Sequence, residues 1–174
     1  MADMTDDRRI RRNRIIGLTA AALVFLLDQA TKWVVTGPLQ LEQREAIEIV
    51  SFFDLRYVEN FGVSMGLLTA DSDLARWLLV LLTGAIALFV AVWMWREKRR
   101  DDALGLSLVL GGALGNILDR MRLGHVVDFA DLHFGEWRPF LVFNVADAAI
   151  TIGVLLLLVR ALLMREPKGD QKEV

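Results

Sequence analysis

Long apolar runs separated by short polar connections dominate the chain. On a window the width of a hydrocarbon core, four runs stand out, at residues 15–35, 74–95, 103–118 and 140–164. A helix needs about 20 apolar residues to cross a bilayer, and only the third run falls well short. Hydropathy alone would make that run a buried helix. It contains Gly111-Gly112-Ala113-Leu114-Gly115, and a Gly-x-x-x-Gly pair lets helix backbones approach closely in lipid. The pattern therefore predicts a third span packed against its neighbours. Between the spans, "FFDLRYVEN" places Phe53, Leu55 and Tyr57 in alternation with Asp54 and Arg56, the period of a half-buried strand. "HVVDFADLHF" is rich in β-branched and aromatic residues and is a partner for it. A small extracytoplasmic sheet resting on the membrane is expected.

The first run has a second reading. "RRIRRNR" followed by "IIGLTAAALVFLL" has the charged and apolar regions of a secretory signal peptide. However, "DQATKW" follows with no small-x-small cleavage site, and apolar character then resumes, which favours an uncleaved anchor. The final "REPKGDQKEV" reads as a solvated tail. There is no internal repeat or low-complexity tract, so residues 1–174 are expected to form a single integral membrane domain.

Composition agrees. Hydrophobic residues make up 55% of the chain, against about 45–50% in soluble domains. A net charge of −2 and the lack of a basic patch interleaved with aromatics give no reason to expect nucleic acid. Without cysteine there are no disulfides, thiolate metal sites or cysteine nucleophile. His125 and His133 are the only histidines, too few for a histidine-rich metal site. Both read as interfacial or strand-surface residues, and no metal or cofactor is expected. Trp33, Trp77, Trp93, Trp95 and Trp137 lie near span ends, as an aromatic belt requires. Lys and Arg set the orientation. The N-terminus, the second connection and the tail carry 13, while the other two connections carry 6. By the positive-inside rule both termini are cytoplasmic, and 36–73 and 119–139 face outward.

With that topology the polar residues of the spans gather at one depth. Asp28 and Lys32 share a helix face near the outer end of the first span. Asn116, Asp119 and Arg120 close the outer end of the third, and Asn144 and Asp147 open that of the fourth. Asn60 follows the expected strand, two residues before Gly62. An ionised group at mid-bilayer costs roughly 2.5–3.5 kcal/mol, so these groups should face the bundle interior and one another. Each has a plain structural explanation. Asp28–Lys32 reads as a neutralising pair, Asp119–Arg120 as an interfacial charge pair, Asn116 and Asn144 as interhelical hydrogen bonding, and Asn60 as a turn residue. Asp128, taken alone, is a loop carboxylate. Together they allow more. A strand carrying Asp128 back over the start of the fourth span would bring it near Asp147, and paired carboxylates share a proton. Such a pair activates water with one member and protonates a substrate carbonyl with the other.

"LDQATKWVV", "VENFGVSMG", "GGALGNILDRMRLGHVVDF" and "FNVADAAITIG" resemble, in order and spacing, the motif blocks of lipoprotein signal peptidase, or signal peptidase II, over residues 27–153. The resemblance implies an aspartyl endopeptidase of the bacterial inner membrane that cleaves prolipoproteins just before a diacylglyceryl-modified cysteine. It implies Asp128 and Asp147 as the catalytic dyad, with Asn60, Asn116, Arg120 and Asn144 lining the site. Asp28 and Lys32 would support the pocket, and Asp119 and Gly112 the third helix. It further implies a four-helix bundle with an outer β-cradle and short outer helix, an active site at the outer face, contact with membrane lipid, and inhibition by globomycin-type cyclic peptides. A monomer is expected, although the sequence leaves the oligomeric state open. One block departs: after Asn60 the family more often reads Thr-Gly-Ala-Ala-Phe, where this chain has Phe61-Gly62-Val63-Ser64-Met65. Two other readings stand beside this one. Intramembrane carboxylates also mark proton-coupled transporters, and a noncatalytic scaffold would leave the two aspartates without a purpose.

Overall fold

The computed structural model describes residues 2–62 and 73–163 of the chain. Its helices are α1 (Ala2–Thr36), α2 (Asp73–Arg96), α3 (Arg100–Arg122) and α4 (Val145–Leu163), and its strands β1 (Ile47–Val50), β2 (Phe53–Asn60) and β3 (Val126–Leu132). All four helices are long and apolar enough to cross a membrane. Within the first, the apolar run begins well inside the helix. At 1.5 Å per residue, the 35 residues of α1 outrun a hydrocarbon core of about 30 Å, so its arginine-rich first turns continue beyond the apolar layer.

The short third run belongs to a full-length helix at the centre of the bundle. About half of the apolar window of α3 is buried, against 17–22% for the others. Glycine makes this possible. A Cβ on Gly111 would sit 2.5 Å from the Ala21 carbonyl oxygen of α1, and one on Gly112 would sit 2.5 Å from the Ala146 carbonyl oxygen of α4. Low hydropathy in α3 is thus the signature of close packing against protein. Ala21, Ala87, Val90, Met94, Leu106 and Leu110 form the membrane core, while Leu23, Leu81, Leu88, Phe89, Leu156 and Leu162 point outward, as lipid permits. The five tryptophans are all exposed.

The sheet has the order β1-β2-β3, antiparallel throughout. Beneath it lies a second core of Val35, Leu41, Val127, Phe129 and Ala130. β1 lies outside the two expected strands. Its alternation of Ile47 and Ile49 with Glu48 is only four residues long, too short to stand out. In β2, Leu55 pairs with Ala130 but Val58 with Asp128, so Arg56 and Tyr57 together oppose Phe129. This bulge changes the phase of the strand. Asn60, which would otherwise lie opposite Leu55, comes round to the face that carries Asp128.

The fourth helix starts later than the apolar run. Residues 140–144 are not helical; Phe143 instead pairs with β3, its N–H donating to the Ala130 carbonyl at 3.0 Å and its carbonyl accepting from Ala130 N–H at 2.8 Å. Pairing to β3 satisfies this backbone where a helix would otherwise have done so. Among the described residues the helical element between the first span and the sheet is a single 3-10 turn, Leu41–Gln43. Val63, Ser64 and Met65, where the sequence departs from its family block, lie outside the described residues.

Candidate active site

Asp128 and Asp147 reach the same place from different elements. Asp128 is the third residue of β3 and 2% exposed. Asp147 is the third residue of α4, and Asn144 is the residue that caps that helix. The Asn144 Oδ1 accepts the Asp147 N–H at 2.9 Å, and the Asp147 Oδ2 accepts the Asn144 N–H at 3.3 Å. This is the reciprocal arrangement of a capping box, which satisfies two N–H groups that the helix itself leaves unpaired. The same Asn144 donates from Nδ2 to Asp128 Oδ1 at 2.6 Å. One residue therefore holds both carboxylates, Asp128 through its side-chain amide and Asp147 through its backbone N–H. No direct hydrogen bond joins the two aspartates among the described residues; Asn144 is the link between them.

Each aspartate has a second amide donor. Asn60 Nδ2 donates to Asp128 Oδ2 at 2.9 Å, while Asn60 Oδ1 accepts the Gly62 N–H at 2.8 Å. Gly62 has φ +82°, a conformation glycine takes without strain. Asn116 Nδ2 donates to Asp147 Oδ1 at 2.8 Å. The Asn116 carbonyl oxygen is pinned by Lys32 Nζ at 3.1 Å and by Asn144 Nδ2 at 3.3 Å, so its NH2 group must face Asp147.

Behind this layer sits a buried ionic group. Lys32, 4% exposed, contacts Asp28 Oδ2 at 2.9 Å and Asp119 Oδ2 at 2.7 Å. Both carboxylates also hold backbone near the site. Asp28 Oδ1 accepts the Ala146 N–H at 3.0 Å, in the first turn of α4. Asp119 Oδ2 accepts the Val127 N–H at 3.3 Å, one residue before Asp128. The sequence reading left out Gln29, whose Nε2 donates to Asp28 Oδ2 at 3.1 Å and to Asp119 Oδ1 at 3.0 Å. Its only sequence signal was its position beside Asp28. Gly112, which lets α4 approach α3, lies under the same turn at Ala146.

Arg120 is half-buried, with the charges of Asp147, Asp128 and Asp119 in range and the Gly62 backbone beneath its guanidinium. Its Nε is buried with no hydrogen-bond partner. Among the described residues it is the one cation of the cluster with a donor to spare. His125 instead contacts Tyr57 and Glu59, and His133 lies 3.2 Å from Asp54 on the sheet; neither is bonded to the aspartates.

Burial pushes the Asp128 carboxyl up from its ordinary 3.8 to about 6. The hydrogen bond from Asn60 opposes that rise, the negative charge of Asp147 adds to it, and Asn144 and Lys32 pull it back. Asp128 therefore takes up a proton as the pH falls through about 6. Two cavities open on the pair. One, of about 310 Å3, is apolar and is lined by Phe140, Leu141, Phe143, Asp147, Ala148, Thr151 and Ile152. The other, of about 360 Å3, is lined by residues 58–62 with Asp128, Leu141 and Val142. Leu141 belongs to both, so an extended chain could pass from one aspartate to the other. Among the described residues, no group of three or more Asp, Glu or His side chains is placed to hold a metal ion.

A family model described as signal peptidase (SPase) II matches residues 20–163. The lipoprotein signal peptidase of Rhizorhabdus wittichii is 61% identical over 171 residues, covering 98% of each chain. That of Sphingopyxis alaskensis is 58% identical over 154 residues, covering 88% of this chain and 89% of the relative. A bacterial membrane enzyme solved by the in meso method at 2.3 Å resolution superposes with a TM-score of 0.74 at 28% identity, covering 91% of this chain and 94% of that one.

Proposed function

The chain belongs to the signal peptidase II family and is a multi-pass membrane peptidase, and from that premise we propose that Asp128 and Asp147 are its catalytic pair, acting on lipid-modified prolipoproteins at the outer face of the bacterial inner membrane. The observation that carries this reading is Asn144, which binds both carboxylates through one side chain and its own N–H. Family membership leaves the transporter and scaffold readings without support.

The chemistry follows from the environments of the two groups. Asp147, held by Asn116 and the helix start, takes a proton from water as the water oxygen attacks the scissile carbonyl carbon. Asp128, whose carboxyl burial pushes up to about 6, gives its proton to the carbonyl oxygen. Collapse of the resulting diol breaks the C–N bond; the amine leaves with the proton from Asp147, and Asp128 recovers its own. Water is consumed, and no covalent enzyme intermediate forms. Asn60 and Asn144 hold Asp128 in place, and Arg120 Nε, lacking a partner, is the donor available to a substrate carbonyl. The apolar cavity beside Asp147 suits the lipid-facing part of the substrate, as the modified cysteine and its acyl chains arrive from the bilayer. Globomycin-type cyclic peptides would compete for the same space, and the active unit is a monomer.

Reconstituted protein should cleave a diacylglyceryl-modified prolipoprotein and stop when globomycin is added. Loss of cleavage in inserted Asp128→Asn and Asp147→Asn proteins supports the assignment; substantial turnover by either overturns it.

A further inference from the structure

At the end of the bundle opposite the aspartates, α1 and the α2–α3 connection enclose a cavity of about 450 Å3, lined by Arg9, Arg12, Asn13, Lys98, Arg99 and Arg100. Asn13 and Asp28 are fifteen positions apart on α1, about 22 Å of helix rise, so this cavity is remote from the peptidase site. The Lys and Arg distribution assigns this end to the cytoplasmic leaflet.

Asn13 gives the cavity its specificity. It is 1% exposed, and its Nδ2 donates to the Lys98 carbonyl oxygen at 2.8 Å. That bond fixes the amide orientation. Among the described residues its Oδ1 is buried without a hydrogen-bond partner, in a cavity otherwise lined by five cationic residues. A buried acceptor left unpaired is costly, and an occupant with a hydroxyl or N–H would satisfy it.

The rest of the cavity suits a phosphate. α3 begins here, with Arg99 as an extended N-cap that makes no side-chain cap hydrogen bond, so the positive end of a 23-residue helix is presented to the cavity. Among the described residues, Asp101 and Asp102 are engaged away from the cavity, while Glu97 holds the backbone of its lining. Glu97 Oε1 accepts the N–H groups of Lys98 and Arg99, and Asp101 and Asp102 pair with Arg160. The Arg14 guanidinium stacks 4.5 Å from the Trp95 ring and donates from Nε to the Trp95 carbonyl at 2.9 Å, which puts the membrane interface at this level. On the membrane side, Ala91, Val92, Trp95 and Arg96 line a groove of about 350 Å3.

We propose that this cavity binds the headgroup of an anionic phospholipid carrying both a phosphodiester and a free hydroxyl, as a glycerol headgroup does. The phosphodiester lies against Arg12, Arg100 and the start of α3. The hydroxyl donates to Asn13 Oδ1, and an acyl chain follows the groove beside Trp95. Basic pockets between helices on this side of a membrane suit lipid headgroups. A free phosphate would meet the cations but would leave the groove empty.

The test is lipid binding to the purified full-length protein, read by native mass spectrometry and by thermal shift in detergent. The probes are phosphatidylglycerol, phosphatidylmethanol, phosphatidylcholine and inorganic phosphate. Phosphatidylmethanol keeps the phosphodiester and its charge but lacks the hydroxyl. Phosphatidylglycerol is expected to bind tightest. Arg12→Gln with Arg100→Gln should weaken it about 30-fold, from about 1 kcal/mol per basic residue. Asn13→Ser and Asn13→Leu should lower the preference for phosphatidylglycerol over phosphatidylmethanol about fivefold, the value of one hydrogen bond. All three variants should cleave substrate like wild type. Equal binding of phosphatidylglycerol and phosphatidylcholine, binding that survives the double arginine substitution, or equal stabilisation by inorganic phosphate would each overturn the lipid site. Equal binding of phosphatidylglycerol and phosphatidylmethanol to the wild type would overturn the hydroxyl contact.

Discussion

Asn144 donates its amide Nδ2 to Asp128 Oδ1 at 2.6 Å while its Oδ1 accepts the Asp147 N–H at 2.9 Å. A single side chain thus aligns a strand carboxylate with the first turn of a helix that carries the other carboxylate. Asn144→Ala should lose both functions. The missing cap alone costs about 1 kcal/mol, and misaligned acid–base groups should lower cleavage by about 10²-fold or more. Asn144→Ser keeps a capping oxygen but no NH2 donor. It should recover most of the thermal stability while staying nearly inactive; full activity in Asn144→Ser would mean that the link to Asp128 is dispensable.

The aspartates themselves should be more sensitive. Asp128→Asn or Asp147→Asn removes general acid–base chemistry, worth about 10²–10⁴-fold in rate. Single-turnover cleavage of a lipidated prolipoprotein, normalised to inserted protein, measures it.

Burial raises Asp128 to about 6 from 3.8, so between those values the folded protein binds this proton more tightly than the unfolded chain. Its contribution to stability is fully present below pH 3.8 and is lost as pH rises through about 6. If protonated Asp128 is the acid, kcat/KM falls on the alkaline side with a midpoint near 6. The Asn60 hydrogen bond favours the charged form, so Asn60→Ala should move that limb to higher pH. A limb that stays in place or moves down would assign it to another group.

Lys32 bridges the carboxylates of Asp28 and Asp119. Lys32→Met strands two buried carboxylates and should destabilise by about 3–5 kcal/mol. Adding Asp119→Asn should recover part of that loss, because one stranded charge is gone. Melting temperatures in detergent for the single and double variants decide this.

Gly112→Ala drives a methyl into the Ala146 carbonyl and should cost about 1–3 kcal/mol through overpacking. Because Ala146 immediately precedes Asp147, kcat should fall along with the melting temperature. A stable Gly112→Ala with normal kcat would show that α4 can shift without disturbing the pair.

Much of the design is local enough to read along the chain. The four spans follow from run length, and the depth of Asp28, Asn116, Asn144 and Asp147 from where each falls within its run. The motif blocks around Asn116 and Asp147 supply the residue types. The start of α4 was less legible: Phe140 to Phe143 are as apolar as a span, and only pairing with Ala130 shows them to be extended. The full length of α3 was obscured because glycine and polar residues lower its hydropathy, although they are what places it at the centre. Gln29 gave no signal beyond its neighbour.

By itself, then, the sequence determined the membrane class, the number of spans and which polar residues share a depth, since run length and residue type set the free energy of transfer into lipid. Tertiary structure alone decided that Asn144 joins the two carboxylates, that the bulge at Arg56 and Tyr57 turns Asn60 toward Asp128, and that Lys32 fixes the Asn116 amide. Those outcomes depend on strand phase and on hydrogen-bond directions between elements distant in the chain, which residue spacing does not encode.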